Sequence, residues 1–355
     1  MVNFNSYRLE KQIYNFVEMA NTFNKKYIYH PKNKPNLDEL IAGISKGDKT
    51  ILSQAITLLE SKNQEDRELI YKLIKKLPSP AHQSIRIGIT GSPGVGKSTF
   101  IESLGSLLCN KNYKVAVLAI DPSSDKTGGS ILGDKTRMES LSTMKNAFIR
   151  PTPSKGQLGG VAQQSHEAIL LCEMAGFEII LVETVGVGQS ETHVKELVDF
   201  FLLLMLAGAG DELQGIKRGI MELADAILIT KSDEGNELNA KNAKLNYQNA
   251  LHLFPQNENN WTPKVLTCSS LENKGINEAW NLIEQFEEYG NKTGWIKENR
   301  SNQNRFWFHQ TLQNFIKNKF YSTPSLKNKL EELEKLVSLG EIDPLNAAKE
   351  LFKLL

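Results

Sequence analysis

Residues 85–99 read I-R-I-G-I-T-G-S-P-G-V-G-K-S-T, and no other stretch constrains the chain as much. Ile85, Ile87 and Ile89 alternate like the inward residues of a strand. Gly91, four residues, Gly96, Lys97 and Ser98 then fit G-x-x-x-x-G-K-[ST], and Phe100, Leu104, Leu107 and Leu108 mark the amphipathic helix that follows. Phosphate oxygens need many donors in a small space. A turn made of Gly91, Ser92, Pro93, Gly94, Val95 and Gly96 supplies backbone N–H groups, because glycine lets the chain wrap closely. The helix opened by Lys97, Ser98 and Thr99 adds the partial positive charge of its N-terminus. The Lys97 ammonium is placed to reach the terminal phosphates, and the Ser98 hydroxyl to ligate Mg²⁺.

The 355 residues carry a net charge of +1, so no basic field advertises nucleic acid. Cys109, Cys172 and Cys268 stand far apart, which fits a reducing compartment rather than a disulfide scaffold. Met1–Lys26 mixes charge with apolar residues and shows no h-region, so a cytoplasmic location is expected. The most apolar run, Phe200–Ala209, is about half the length needed to span a bilayer. It reads as a buried strand, and no membrane is expected.

Residues 1–80 show helical spacing, with apolar sets around Leu40–Ile44, Ile51–Leu59 and Leu69–Ile74, and Pro78 and Pro80 close the stretch. From Ser84 the pattern changes to strands separated by crossovers: 85–89, 114–120, 178–182, 200–206, 226–229 and 264–267. Such continuous apolar runs suit strands covered on both faces. The fold class expected is therefore α/β, a doubly wound, mostly parallel sheet with helical extensions at both ends. The divisions expected are a helical region 1–80, a nucleotide-binding domain 81–290 and a helical region 291–355. In the last, Phe306, Phe308, Leu312, Phe315 and Ile316, then Leu326, Leu330, Leu333 and Leu336, read as core or as a self-association seam, the seam being favoured because the sheet domain is complete without them.

In a doubly wound sheet ligands sit at the carboxyl ends of the strands. Asp121 ends the second strand, where a carboxylate faces the Mg²⁺ held by Ser98. Asp134, in the polar glycine-rich stretch that follows, is placed for the metal's outer shell. Glu183 ends the next apolar strand, with Gly186 beyond it to sense the γ-phosphate. Lys231 and Asp233 follow a further strand. An Asp carboxylate accepts both the ring N–H and the exocyclic amine of guanine, so it selects GTP over ATP, while the lysine stem lies along the base. Thr230 stands where Asn is more usual. Ser269, Ser270 and Leu271 are expected to close the base pocket through a backbone N–H. Residues 208–217, holding Gln214 and Lys217, read as a third moving loop or as an ordinary connection. His166 and His193 read as packing or surface residues.

These motifs, in this order, resemble the MeaB/ArgK-type P-loop GTPases. The resemblance runs from about Ile85 to Ala279. It is dense at G-S-P-G-V-G-K-S-T, at D-P-S-S with T-G-G-S-I-L-G-D-K-T-R-M, at R-P-T-P-S-K-G-Q-L-G-G-V, at V-E-T-V-G-V-G-Q-S-E and at A-G-A-G-D-E-L-Q-G-I-K-R-G-I-M-E-L-A-D. It implies a homodimeric GTPase that uses GTP, GDP and Mg²⁺. The implied partner is an adenosylcobalamin-dependent acyl-CoA mutase, most often methylmalonyl-CoA mutase, whose cofactor loading it gates and which it protects or reactivates. By the same resemblance Lys97, Asp121 and Glu183 serve hydrolysis, Ser98, Asp121, Asp134 and Glu183 surround the metal, Lys231 and Asp233 bind guanine, and Gln214 and Lys217 belong to a third switch. The competing readings are a kinase acting on a transport protein, a metallochaperone-type GTPase and a partner-binding module whose hydrolysis is incidental.

Overall fold

The computed structural model describes residues 34–354, apart from 62, 81–82, 122–137, 154–157, 185–190, 208–217, 234 and 256. Among the described residues three helices come first: α1 (Leu37–Ser45), α2 (Lys49–Leu59) and α3 (Gln64–Lys76). The Asp48 carboxylate caps α2 by accepting the Thr50 and Ile51 N–H groups, and Asn63 caps α3 through Glu65. These caps set the starts; the approach to Pro78 sets the end.

The chain then alternates: β1 (Ile85–Gly91), α4 (Lys97–Asn110), β2 (Val115–Asp121), α5 (Glu139–Thr143), β3 (Ala147–Pro153), α6 (Leu158–Met174), β4 (Ile179–Thr184), α7 (Glu191–Lys195), β5 (Phe200–Leu206), α8 (Arg218–Leu223), β6 (Ala226–Thr230), α9 (Glu237–Leu251) and β7 (Lys264–Thr267). The strands form one parallel seven-stranded sheet in the order β3-β2-β4-β1-β5-β6-β7. Winding reverses at β1: β2 and β3 build one edge, β5, β6 and β7 the other. Such a reversal opens a crevice beyond the carboxyl end of β1.

Alternation decides which layer each residue joins. Ile85, Ile87 and Ile89 face α4 and the later helix α10 (Ile276–Thr293), packing with Phe100, Leu104, Trp280, Ile283 and Phe286. Ala116, Leu118, Ile180, Val182, Phe201 and Leu203 face the other way, where α1, α2, α3 and α6 contribute Leu40, Leu52, Leu73 and Leu171. The amino-terminal helices thus share one core with the sheet.

Two findings differ from expectation. β3 joins the six expected strands; its prolines, Pro151 and Pro153, hide the strand pattern but are tolerated because β3 lies at the edge. The leucine stripe of α12 (Pro324–Ser338) is not an open seam. Leu326 and Leu333 are buried against Ala347 and Leu351 of α13 (Pro344–Phe352), inside the chain itself. Apolar residues that do remain exposed include Phe308, Leu312, Phe315 and Ile316 of the long helix α11 (Trp295–Ser322), and Leu345 and Phe352 of α13. Among the described residues no helix is long and apolar enough to cross a membrane.

Candidate nucleotide site

β1 ends at Gly91, whose φ of 151° and close approach to Leu204 leave no room for a side chain: a Cβ would lie 2.5 Å from the Leu204 carbonyl oxygen. Gly94 and Gly96 have φ of 80° and 98°, with open space around them. They are required for backbone conformation, not for packing. Val95, between them, is fully buried and pins the turn to the core. Gly96 caps α4 in the left-handed region, so the first N–H groups of that helix converge on the turn. Ser92 and the exposed Pro93 and Gly94 form its outer rim, and Thr99 lies on the exposed side of α4.

The Lys97 side chain is buried and folds along this turn, its ammonium donating to the carbonyls of Gly91 (2.8 Å) and Ser92 (3.1 Å). The Ser98 hydroxyl donates to Glu183 Oε1 at 2.9 Å. Glu183 is buried at the end of β4, in register with Ile89 of β1, and the next residue, Thr184, donates its hydroxyl to that of Thr90. The parallel register therefore joins two residues 85 apart in sequence. β2 lies directly beside β4 and ends at Asp121, so the Asp121 backbone closes the neighbouring strand on that flank. Asp134, Gly186, Gln214 and Lys217 lie outside the described residues.

On the other flank, β6 ends at Thr230. Its hydroxyl is buried and donates to the Val95 carbonyl at 2.6 Å, with the Met205 carbonyl at 3.2 Å. A threonine thus braces the glycine turn, and it does so past the intervening strand β5. Lys231 is exposed with φ of 56°, held by the Asn236 amide donating to its carbonyl. Ser232 N–H donates to the Cys268 carbonyl, tying this loop to the one after β7.

There the Ser269 hydroxyl donates to Asp233 Oδ1 and accepts the Glu272 N–H. Ser269 differs from expectation: its backbone N–H is taken by the Lys274 carbonyl, and its side chain fixes the carboxylate instead. Ser270 is tied to α4 through its carbonyl, which accepts from Ser103, while Leu271 is largely exposed. Burial pushes the adjacent Cys268 thiol up to about 12, so it stays protonated and inert. Sequence reasoning did not anticipate Thr230 as a brace or Ser269 and Ser103 as supports. Only their position beside strand ends signals them.

The arrangement is a ring of donors at the end of β1, a carboxylate beside a helix-borne hydroxyl on one flank, and an oriented carboxylate on the other. The family model described as methylmalonyl Co-A mutase-associated GTPase MeaB matches residues 52–325. The chain belongs to the MeaB family. That is the family expected from the sequence motifs. This MeaB-family chain is 42% identical over 319 residues to the GTPase ArgK of Escherichia coli strain K12, covering 90% of its own length and 96% of ArgK. It is 41% identical over 332 residues to the mouse (Mus musculus) methylmalonic aciduria type A homolog, mitochondrial, covering 91% of itself and 80% of that relative. Among solved structures it resembles one described as LAO/AO transport system kinase, with a TM-score of 0.69, 36% identity, and coverage of 90% of this chain and 97% of that one. The MeaB family is one of GTPases associated with methylmalonyl-CoA mutase, and guanine-nucleotide chemistry is the activity it carries.

Proposed function

We propose that the chain binds GTP and GDP with Mg²⁺ at the end of β1, hydrolyses GTP slowly alone, and does so faster when an adenosylcobalamin-dependent acyl-CoA mutase engages it. Methylmalonyl-CoA mutase is the first candidate, and gated cofactor loading with protection or reactivation of the mutase is the purpose. The working divisions are 1–80, 81–290 for the GTPase domain, and 291–355 for a dimerising region. The compartment is taken as cytoplasmic.

The observation that supports this best is Ser98 hydrogen-bonded to Glu183 across the mouth of the glycine turn. A hydroxyl and a carboxylate are hard oxygen donors and suit Mg²⁺, with Asp121 on the adjacent strand end as a further candidate. Ser98 and Glu183, with Asp121, would hold the metal, which would supply charge neutralisation for the phosphates. In this reading water attacks the γ-phosphorus in line with the bond to the β–γ bridging oxygen. That bond breaks and GDP leaves. Lys97 and the N–H groups of the turn stabilise the developing negative charge, with no covalent intermediate. Asp233, oriented by Ser269, reads the guanine edge.

GTP turnover measured with and without purified methylmalonyl-CoA mutase tests the partner: equal rates at saturating mutase reject it. Asp233→Asn tests the base, and an undiminished preference for GTP over other purine triphosphates rejects that assignment.

A further inference from the structure

α7 spans five residues, too few to hold itself as a helix, so its place depends on what grips it. The grip comes largely from α11. Along one face of that helix, Asn299, Arg300, Gln303 and Trp307 all point donors at the segment leaving α7. Gln303 Nε2 donates to the Val198 carbonyl at 2.7 Å and the Lys195 carbonyl at 3.4 Å. Trp307 Nε1 donates to the Glu196 carbonyl at 2.7 Å. Asn299 Nδ2 approaches the Val198 carbonyl at 3.4 Å, and the Arg300 guanidinium takes both Asp199 oxygens at 2.8 and 2.6 Å. The carbonyls belong to Lys195 at the end of α7 and to the short connection, Glu196 and Val198, that leads into β5. Gln303 and Trp307 are 1% and 3% exposed, so water does not substitute for either donor.

The same short segment packs on the central strand β1 and reaches the start of β6. Val194 and Val198 seat on Gly88 of β1, where a Cβ would meet them at 3.2 and 3.0 Å. Lys195 Nζ reaches Asp225 Oδ2 at 2.6 Å, and Asp225 immediately precedes β6, the strand that ends at Thr230. Upstream, Glu191 follows Thr184, and hence the Glu183 strand end, by seven residues.

We propose that Gln303 and Trp307 are positioning residues for GTP hydrolysis. They touch no nucleotide; they act through α7, which they hold between the β1 face and the start of β6. The proposal rests on the guanine-nucleotide reading above.

The test uses the full chain with Trp307→Phe, which loses the N–H and keeps a ring, and Gln303→Met, which keeps length and loses the donor. Asn304→Ala, on the exposed side of the same turn, is the control. In both test variants kcat for GTP should fall about fivefold to tenfold, with fluorescent GDP affinity unchanged within about twofold and the control like the native chain. A merely structural loss would instead weaken GDP binding in step with turnover. Native kcat in both variants overturns the proposal and leaves the GTPase reading standing. No GDP binding and no hydrolysis by the native chain overturns both. Should the variants fail to fold, hydrogen exchange of the native chain decides. Amides of 191–199 and 299–307 should change protection together between GDP and a non-hydrolysable GTP analogue with Mg²⁺. Identical protection in the two states overturns the proposal.

Discussion

His166 sits on α6 with its imidazole stacked on the Trp307 indole, ring centroids 5.3 Å apart. Burial, with the Arg86 charge nearby, lowers its pKa from 6.5 to about 4. Above pH 6.5 both folded and unfolded chains keep it neutral. As pH falls below 6.5 only the unfolded chain takes up the proton, so stability declines until about pH 4 and then levels. The loss should reach roughly 3 kcal/mol. Thermal melting from pH 7 to 4.5 checks this, and His166→Phe, which keeps the stack, should flatten that window. Thr230→Val isolates the brace on the glycine turn. Removing one buried hydrogen bond to the Val95 carbonyl should weaken GDP and GTP binding alike, by about fivefold to tenfold, and Thr230→Ser should restore it. Equal affinity for the native and valine chains by titration calorimetry would refute the brace. At this scale the positions of Lys97, Ser98, Glu183 and Asp233 were legible because each stands at or just beyond the end of an apolar strand. Ser269 was legible only as a position. Which of its groups serves Asp233 depends on the Lys274 bridge, and no local pattern encodes that.

The elements were legible where one rule dominated. α2 and α3 follow cap and periodicity, and six strands follow continuous apolar runs. β3 was hidden because tolerance of Pro151 and Pro153 depends on an edge position that only the assembled sheet defines. α11 runs 28 residues with a mixed pattern, since its two faces answer to different demands. Its inward face meets the buried charges below β1. Arg86 pairs with both oxygens of Glu173 at 2.8 Å, Ser84 donates to the same carboxylate, and Arg300 joins from α11. Burial alone would raise the Glu173 carboxyl; the Arg86 hydrogen bonds and charge, with Ser84 and Arg300, outweigh it and hold it below the usual range. Glu173→Gln keeps the volume and strands the Arg86 charge. It should cost roughly 3 kcal/mol in urea unfolding with an unchanged m-value. A loss below about 1 kcal/mol would mean that Asp199 already satisfies both arginines.

Across the whole molecule, one reversal of winding at β1 sets the layout: Asp121 and Glu183 at strand ends on one flank, the loops holding Asp233 and Ser269 on the other, the glycine turn between. That plan was readable because each motif sat at the end of an apolar run. What the outer helices do was harder to read, since a leucine stripe looks the same whether its partner is α13 or another chain. With Leu326 and Leu333 of α12 closed on α13, one stripe open to association is Phe308, Leu312, Phe315 and Ile316, spaced four, three and one residues apart along one side of α11. Phe308 and Ile316 are 62% and 57% exposed, a concentration of apolar surface that soluble chains seldom leave uncovered. A two-fold pairing of α11 helices would cover it symmetrically. Light scattering should then give twice the chain mass for the native protein and the single-chain mass for the double variant Phe308→Asp, Ile316→Asp. GDP affinity should be unchanged, because these side chains leave α11 on the face opposite Gln303 and Trp307. A native chain that is monomeric at micromolar concentration, or a double variant that still dimerises, would place the interface elsewhere.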